Sequence, residues 1–271
     1  MRASAAAKIN LALVVGPARP DGKHEIATVY QRIALADRIE LDPGPVLLVE
    51  GFAEDTLVRS ALEAVAGRAG VEPRWHVRIE KRLPVAAGIG GGSSDAATAL
   101  RLANAALPEP LRDDALREIA ATLGADVPFF LADGPQLGTG DGSELAPLDL
   151  PQDFWVLLVV PRGIEKPSTA SVYAEFDRRE GAAGFAGRRA ALLAALDTVH
   201  RPRDLAALPP NDLASSPLSD ELRSLGAFRA DVSGAGPAVY GLFHHKDRAK
   251  GAQRAVKRVG ETWLTAPSWY G

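Results

Sequence analysis

Residues 84–95 read Pro84-Val-Ala-Ala-Gly88-Ile-Gly90-Gly91-Gly92-Ser93-Ser94-Asp95 and form the most informative segment of the sequence. Four of the five residues from 88 to 92 are glycine, so the backbone can approach a ligand closely and direct several N–H groups toward it. The stretch follows an alternating run typical of a strand (75–81) and continues into helical spacing (94–106), which adds the positive end of a helix. This pattern, which we call the glycine loop (residues 84–94), predicts a phosphate site. A plain turn between strand and helix is the alternative.

Two familiar phosphate-binding patterns do not match the glycine loop. No Gly-Lys-Ser/Thr follows the glycines, which excludes a P-loop of the Walker type. A dinucleotide fingerprint fits poorly, because no βαβ unit with an acid about 20 residues further on follows.

The composition bounds the class of protein. The 271 residues carry 24% charged and 46% hydrophobic side chains, as in ordinary globular proteins of one large or two modest domains. The formal net charge of −3 argues against nucleic-acid or anionic-membrane partners. The absence of cysteine excludes disulfides, thiolate metal sites and cysteine nucleophiles. Glycines and prolines interrupt every apolar run, and we read the N-terminus as a strand and not as a signal peptide. We expect a cytoplasmic protein, monomeric or weakly dimeric.

Strands and helices alternate along the rest of the chain. The spacing predicts strands at 8–15, 28–41, 75–81, 154–160, 227–232 and 238–243, and helices at 57–66, 94–106, 111–123, 186–198 and 247–258. Residues 19–22 mark a turn, and Gly124 is typical of a helix end. The mixture of hairpins and crossovers indicates an α+β fold. Pro147 and Pro151 favour a boundary between domains at 1–149 and 150–271.

Lys8 and Asn10 occupy unusual positions in an apolar strand. The period of two places Lys8, Asn10 and Ala12 on one face, with Ile9, Leu11 and Leu13 on the other. A lysine beside an asparagine suits an anion or a reacting oxygen. A lysine that keeps an edge strand soluble is an equal alternative.

Asp126 lies in Leu123-Gly-Ala-Asp-Val-Pro-Phe-Phe130, between a helix end and an apolar segment. An acid that loses hydration among apolar neighbours is suited to act as a general base. Asp126 capping a turn through the backbone is the alternative. A further glycine turn, Ser233-Gly-Ala-Gly-Pro237, either forms a plain hairpin or brings its backbone close to a ligand or to the glycine loop.

The order of these segments resembles the GHMP small-molecule kinases. The supporting residues are Ala7-Lys-Ile-Asn-Leu11, Asp21-Gly-Lys-His-Glu25, the glycine loop, Leu123-Gly-Ala-Asp-Val-Pro128, Pro210-Asn-Asp-Leu213 and the 233–237 turn. They are collinear and span most of the chain. The resemblance implies a two-domain GHMP kinase fold, with a ribosomal S5 domain 2-like N-terminal domain and a ferredoxin-like C-terminal domain. The D-G-x-H-E and G-A-D-V-P segments indicate a member that phosphorylates an alcohol linked to cytidine diphosphate, in the synthesis of isoprenoid precursors.

The resemblance also implies roles for individual residues. Asp126 takes the proton from the alcohol, Lys8 orients that oxygen, and Asn10 supports the substrate beside Lys8. His24 hydrogen-bonds the cytosine, and Tyr173 stacks on it. The ATP phosphates are wrapped by Pro84, Val85, Ala86, Ala87, Gly88, Ile89, Gly90, Gly91, Gly92, Ser93 and Ser94. Mg²⁺ accompanies ATP, held mainly by the phosphates, with Ser94 or Asp95 adding an oxygen.

The sequence departs from the family at one residue that is expected to bind the substrate. The usual sequence is Asp-Gly-Tyr-His-Glu, whereas this chain has Lys23, which cannot replace the stacking of tyrosine on the base in full. Such stacking is worth about 1–3 kcal/mol per base. Another GHMP kinase, acting on mevalonate, homoserine or a sugar, therefore stays an alternative. A nucleotide-binding protein without catalysis and an RNA-binding protein with an S5-like domain are weaker ones.

Overall fold

The N-terminal segment folds into two long antiparallel strands, β1 (Arg2–Ala18) and β2 (His24–Pro43), in a computed structural model that describes residues 1–53, 57–164 and 168–269. Their apolar and β-branched residues favour extended backbone. The turn predicted between them is confirmed: the Gly22 N–H donates to the Arg19 carbonyl over 3.0 Å, and Gly22 has a φ of 80°. Both strands extend beyond the predicted ranges.

β1 and β2 belong to the first of two sheets. Its other strands are β3 (Leu48–Glu50), β4 (Trp75–Glu80), β5 (Gln136–Thr139) and β6 (Glu144–Pro147). The order is β3-β4-β2-β5-β6, and β1 pairs with β2. Three helices pack against this sheet: α1 (Leu57–Ala69), α2 (Gly91–Ala105) and α3 (Asp113–Leu123). The predicted helix end is confirmed, because Gly124 is the C-cap of α3.

The second sheet contains the four strands β7 (Trp155–Pro161), β8 (Arg229–Val232), β9 (Val239–Phe243) and β10 (Gly260–Thr265). Its order is β10-β7-β9-β8, and every pair is antiparallel, which is the arrangement expected of a ferredoxin-like domain. The remaining helices are α4 (Thr169–Arg178), α5 (Phe185–Leu196), α6 (Pro217–Ser224) and α7 (Lys246–Val256). The predicted α+β class is confirmed. Within the described ranges, no helix is long and apolar enough to cross a bilayer.

Several short elements escaped the sequence analysis. They are β3, β5, β6, α4, α6 and β10. Most of them are short, and some bury very little: β6 has no fully buried residue, and Phe176 is the only buried residue of α4. Elements of this kind are held by their neighbours and not by their own pattern.

Contacts between the two parts of the molecule, each built around one sheet, join them next to the cavity described below. The Leu13 backbone forms a bridge with Asn211, and one apolar cluster includes residues of β1 and β2 together with residues of β7 and β9. The chain end returns to the first sheet, where the buried Arg32 guanidinium donates to the Trp269 carbonyl over 3.0 Å. The same apolar cluster includes Ala87 and Ile89, so it also fixes the glycine loop against β1.

Candidate active site

A cavity of about 900 Å³ lies between the glycine loop, β1, the turn before β2 and helix α4. Most of the site residues expected from the sequence line it, namely Lys8, Asn10, Lys23, His24, residues 84–93, Asp126 and Tyr173. Ser94 and Asp95 do not, since both are buried within α2, where the Ser94 N–H donates to the Gly90 carbonyl over 2.9 Å. One space therefore contains the phosphate loop, the charged pair and the expected base-binding residues.

Lys8 and Asp126 form an ion pair in this cavity. Lys8 Nζ lies 3.3 Å from Asp126 Oδ2, and the lysine side chain is only 4% exposed. Lys8 Nζ also donates to Asn10 Oδ1 over 2.7 Å, and Asn10 Nδ2 donates to Thr28 Oγ1 over 2.8 Å. The alternative of a lysine that keeps an edge strand soluble is therefore wrong. This ammonium is held toward a carboxylate in a largely dry setting.

A β-bulge changes which residues of β1 face the cavity. Asn10 pairs with Tyr30 and Ala12 pairs with Val29, so two steps on β1 match one step on β2. The alternation shifts by one residue at this point. Leu13 consequently lines the cavity with Lys8 and Asn10, whereas Ala12 packs in the apolar cluster behind them. The expectation that placed Ala12 on the cavity face and Leu13 opposite was wrong, because a strict period of two does not survive a bulge.

Asp126 follows α3 and faces the cavity with a side chain that is 32% exposed. It is less enclosed by apolar residues than the sequence suggested, and its carboxylate is held by side chains instead of capping a turn. Besides Lys8, the Tyr30 hydroxyl donates to Asp126 Oδ1 over 3.0 Å. Burial, and then the Asp126 charge, raise the pKa of Tyr30 well above its ordinary value, so this phenol stays a donor. Tyr30 was missed, because its apolar strand gives no sign of this contact.

The glycine loop packs tightly against the 233–237 turn that joins β8 to β9. A Cβ on Gly88 would lie 2.4 Å from the Ser233 carbonyl oxygen, and the φ of Gly88 is +83°. The Ala238 N–H donates to the Ala87 carbonyl over 3.0 Å, and the Lys8 N–H donates to the Ile89 carbonyl over 2.9 Å. Both sequence readings of the 233–237 turn hold, since it is a hairpin and it contacts the glycine loop. The loop is thus fixed from two sides.

The opposite end of the cavity contains His24 and Tyr173. Their rings stack with centroids 4.6 Å apart, and His24 Nε2 lies 2.8 Å from Asp177 Oδ1. Burial, and then the Asp126 charge, raise the pKa of Tyr173 to about 12. Asp177 also lines the cavity and was not anticipated. The signal for it was present, because Asp177 lies four residues after Tyr173 and so shares its helix face.

Lys23 forms an ion pair with Asp141 in the turn between β5 and β6. Burial disfavours the charge of Asp141, but hydrogen bonds from Lys23 and from Ser143 outweigh it and lower the pKa of Asp141 to about 2. Both residues line the cavity. The lysine at the family's tyrosine position is therefore held on the cavity wall by Asp141, a contact that the sequence did not indicate.

The described ranges contain no cluster of three or more histidine, aspartate and glutamate side chains suited to a metal ion. Asp95, one of the two oxygens expected for magnesium, is fully buried in an ion pair with Lys81. Ser94 does not reach the cavity either. Ser93 and Asp126 are among the residues with side-chain oxygens that do line the cavity.

The sequence matches the GHMP kinases N terminal domain over residues 56–134 and the GHMP kinases C terminal domain over residues 190–262. The chain belongs to the GHMP kinases, a family of phosphotransferases. The 4-diphosphocytidyl-2-C-methyl-D-erythritol kinase of Salinispora tropica is 41% identical, over 88% of this chain and 81% of its own. A crystal structure of 4-(cytidine 5'-diphospho)-2C-methyl-D-erythritol kinase has a TM-score of 0.79 and 32% identity, with 99% of both chains covered. Within the family, the chain groups with these kinases, which confirms the resemblance.

A more distant structure shows how widely this fold is shared. A crystal structure of mevalonate kinase covers both chains completely with a TM-score of 0.77, but the identity is 12%. This likeness concerns the fold alone. Substrate identity has to be argued from the cavity and from the more similar relatives.

Proposed function

We propose that this enzyme transfers the γ-phosphoryl group of ATP to the 2-hydroxyl of 4-diphosphocytidyl-2-C-methyl-D-erythritol, a step of the non-mevalonate route to isoprenoid precursors. The observation that carries the proposal is the Lys8–Asp126 pair, 3.3 Å apart, in one cavity with a glycine loop and an aromatic pocket. The names of relatives that are about 40% identical supply the substrate.

Asp126 is the general base in this proposal. Its carboxylate is accessible from the cavity and can accept the proton of an alcohol placed beside it. Lys8 orients the same oxygen and offsets the negative charge that develops there during transfer. Asn10 keeps the lysine ammonium in place through its 2.7 Å hydrogen bond, and Tyr30 does the same for the carboxylate. Phosphoryl transfer depends chiefly on such positioning and charge compensation.

The glycine loop binds the triphosphate of ATP. Two observations support this role: Gly88 and Gly90 adopt positive φ values, and α2 directs its N-terminal end toward the cavity from Gly91 onward. Residues 84–93 line the cavity, and those after Pro84 carry the backbone N–H groups that this role requires. Ser94 supports the loop from within α2 without reaching the cavity.

Mg²⁺ accompanies ATP and is held mainly by the phosphates, because the described residues offer no ready carboxylate cage. Ser93, on the cavity wall, is suited to add an oxygen to its coordination. When bound, the ion offsets phosphate charge during transfer. Asp95 has no such role, since its carboxylate is paired with Lys81.

The cytidine end of the substrate lies at His24, Tyr173 and Lys23. Tyr173 supplies an aromatic surface, and the Asp177 carboxylate fixes the imidazole of His24 for hydrogen bonding. The alkyl chain of Lys23, held by Asp141, covers the position of the missing tyrosine. Base stacking is weaker with an alkyl chain than with a second aromatic ring.

The decisive test is release of ADP by the purified enzyme with magnesium ATP and four alcohols: 4-diphosphocytidyl-methylerythritol, methylerythritol, mevalonate and homoserine. We expect turnover with the cytidylyl substrate alone. Turnover with a different alcohol would keep the Lys8–Asp126 chemistry and replace the substrate. ATP binding without turnover of any alcohol would contradict the proposed reaction.

Three further parts of the proposal concern organisation. The division into domains at 1–149 and 150–271 is supported by the position of β6 and β7, which lie on either side of it in different sheets. The enzyme works in the cytoplasm as a monomer or weak homodimer. Light scattering during gel filtration would test the oligomeric state, and limited proteolysis near residue 150 would test the boundary.

A further inference from the structure

Two buried carboxylates and one partly exposed lysine lie next to the glycine loop and take no part in the chemistry proposed above. Lys81 Nζ lies 2.8 Å from Asp95 Oδ2 and also donates to Asp37 Oδ2. Both carboxylates have fully buried side chains, whereas the Lys81 side chain is 16% exposed and borders the cavity. Burying carboxylates is costly unless they pair with a cation. The position of the three groups therefore calls for an explanation in terms of what they connect.

Asp37 connects the cluster to the backbone just before the glycine loop. Its Oδ1 atom accepts the Leu83 N–H over 2.7 Å and the Arg82 N–H as well. Lys81 itself directly precedes these two residues. One carboxylate of β2 thus holds three consecutive residues at the start of the loop.

Asp95 connects the same ammonium to the end of the loop. It is the residue directly after Ser94 and lies within the first two turns of α2, whose N-terminal N–H groups face the proposed phosphate site. Lys81 Nζ is also close to that helix end, 3.6 Å from where a Cβ on Gly91 would lie. A single ammonium therefore joins the two ends of the glycine loop.

The charges of the cluster argue against a role for Lys81 as a phosphate ligand. Lys81 borders the cavity, but two carboxylates already engage its ammonium. One ammonium and two carboxylates sum to −1, so the cluster as a whole does not attract a triphosphate. Burial disfavours the charged ammonium, but the hydrogen bonds with Asp37 and Asp95 outweigh it and hold the pKa of Lys81 above its ordinary value. The lysine thus stays charged at neutral pH and remains attached to both carboxylates.

We infer that Lys81, held between Asp37 and Asp95, is a positioning residue that ties the two ends of the glycine loop together and so presets the loop for ATP. This inference rests on the nucleotide-binding part of the proposed function. Glycine-rich segments lose much conformational entropy when they become ordered. A loop whose ends are already joined loses less on binding, so its affinity for ATP is higher.

Two variants interrupt the link from Asp37 through Lys81 to Asp95 at different points. Lys81→Met removes the ammonium, and Asp95→Ala removes the arm to the helix and leaves Lys81 paired with Asp37. Lys250→Met, on the exposed face of α7, is the matched control. Isothermal titration with ATP gives the dissociation constant, thermal unfolding gives the folded fraction, and hydrogen exchange reports the amides of residues 84–90.

The expected result is ATP binding weakened about tenfold or more in both tie variants, since small misplacements of binding groups have effects of this size. KM for the alcohol should stay within about twofold of the wild-type value, and the amides of residues 84–90 should exchange faster. Lys81→Arg should recover part of the affinity for ATP, because it restores a charged donor. A folded Asp95→Ala enzyme with wild-type affinity and protection would overturn the inference. If Lys81→Met does not fold, Asp95→Ala decides alone. Wild-type enzyme that binds ATP but transfers nothing refutes the proposed reaction and leaves this test intact.

Discussion

Replacing Gly88 by alanine tests whether the packing of the glycine loop against the 233–237 turn sets ATP binding. The new Cβ would lie 2.4 Å from the Ser233 carbonyl oxygen and 2.8 Å from that of Gly236, closer than Cβ atoms are found. Both obstacles are backbone atoms and cannot rotate away. The loop must therefore move by at least about half an ångström, and a shift of about 1 Å can cost a hundredfold in activity.

The destabilisation expected for Gly88→Ala has two parts. The φ of +83° at Gly88 adds strain of about 1–2 kcal/mol for alanine. The steric conflict adds about 1–3 kcal/mol, as overpacking does elsewhere. We expect Gly88→Ala to lower the free energy of unfolding by about 2–5 kcal/mol and to raise KM for ATP by about 10- to 100-fold.

Two other glycines provide matched controls. Gly70 has a φ of +68° with nothing within 4 Å of an added Cβ, so Gly70→Ala measures strain alone, at about 1–2 kcal/mol. Gly67, in α1, has open space and no positive φ, so Gly67→Ala should stabilise the protein by up to about 1 kcal/mol. Urea unfolding and ATP kinetics are measured for all three. A Gly88→Ala enzyme that unfolds no more easily than Gly70→Ala and keeps its KM for ATP would refute the reasoning.

Three further predictions concern the cavity. Asp126→Asn should lower kcat about 10²- to 10⁴-fold while ATP still binds in a titration, and near-normal turnover would exclude its role as the base. Lys23→Tyr should lower KM for the cytidylyl substrate, with stacking worth about 1–3 kcal/mol, and an unchanged KM would show that no base lies there. The Lys23–Asp141 pair stabilises the fold above pH 3.8, the ordinary pKa of aspartate, and this contribution disappears as the pH falls toward 2. The stability difference between wild type and Asp141→Asn should therefore shrink over that range in urea unfolding, and a difference independent of pH would contradict the assignment.

Features that depend on residues adjacent in the chain were predictable from the sequence. Gly124 ends α3 as expected, and the apolar run at 154–160 forms the buried strand β7. The glycine loop was recognisable because its backbone freedom and the helix after it are local properties. The family resemblance added the pairing of Lys8 with Asp126, which spacing alone left open.

The contacts that complete the site were not predictable. Tyr30 reads as an ordinary strand residue, yet its hydroxyl reaches Asp126. The bulge in β1 depends on pairing with β2, and it exchanges the positions of Ala12 and Leu13 relative to the cavity. Asp95 resembles a magnesium ligand by its place in the motif, but the Asp95 carboxylate is buried in an ion pair with Lys81.

The fold class, the glycine loop and the order of the motifs follow from the sequence, because backbone freedom, helix ends and apolar runs are properties of consecutive residues. Which charges are paired, which are buried and which face the cavity depends on the folded molecule. Those properties depend on distances between segments that are far apart in the chain, and burial changes the free energy of a charge according to the partner it meets there.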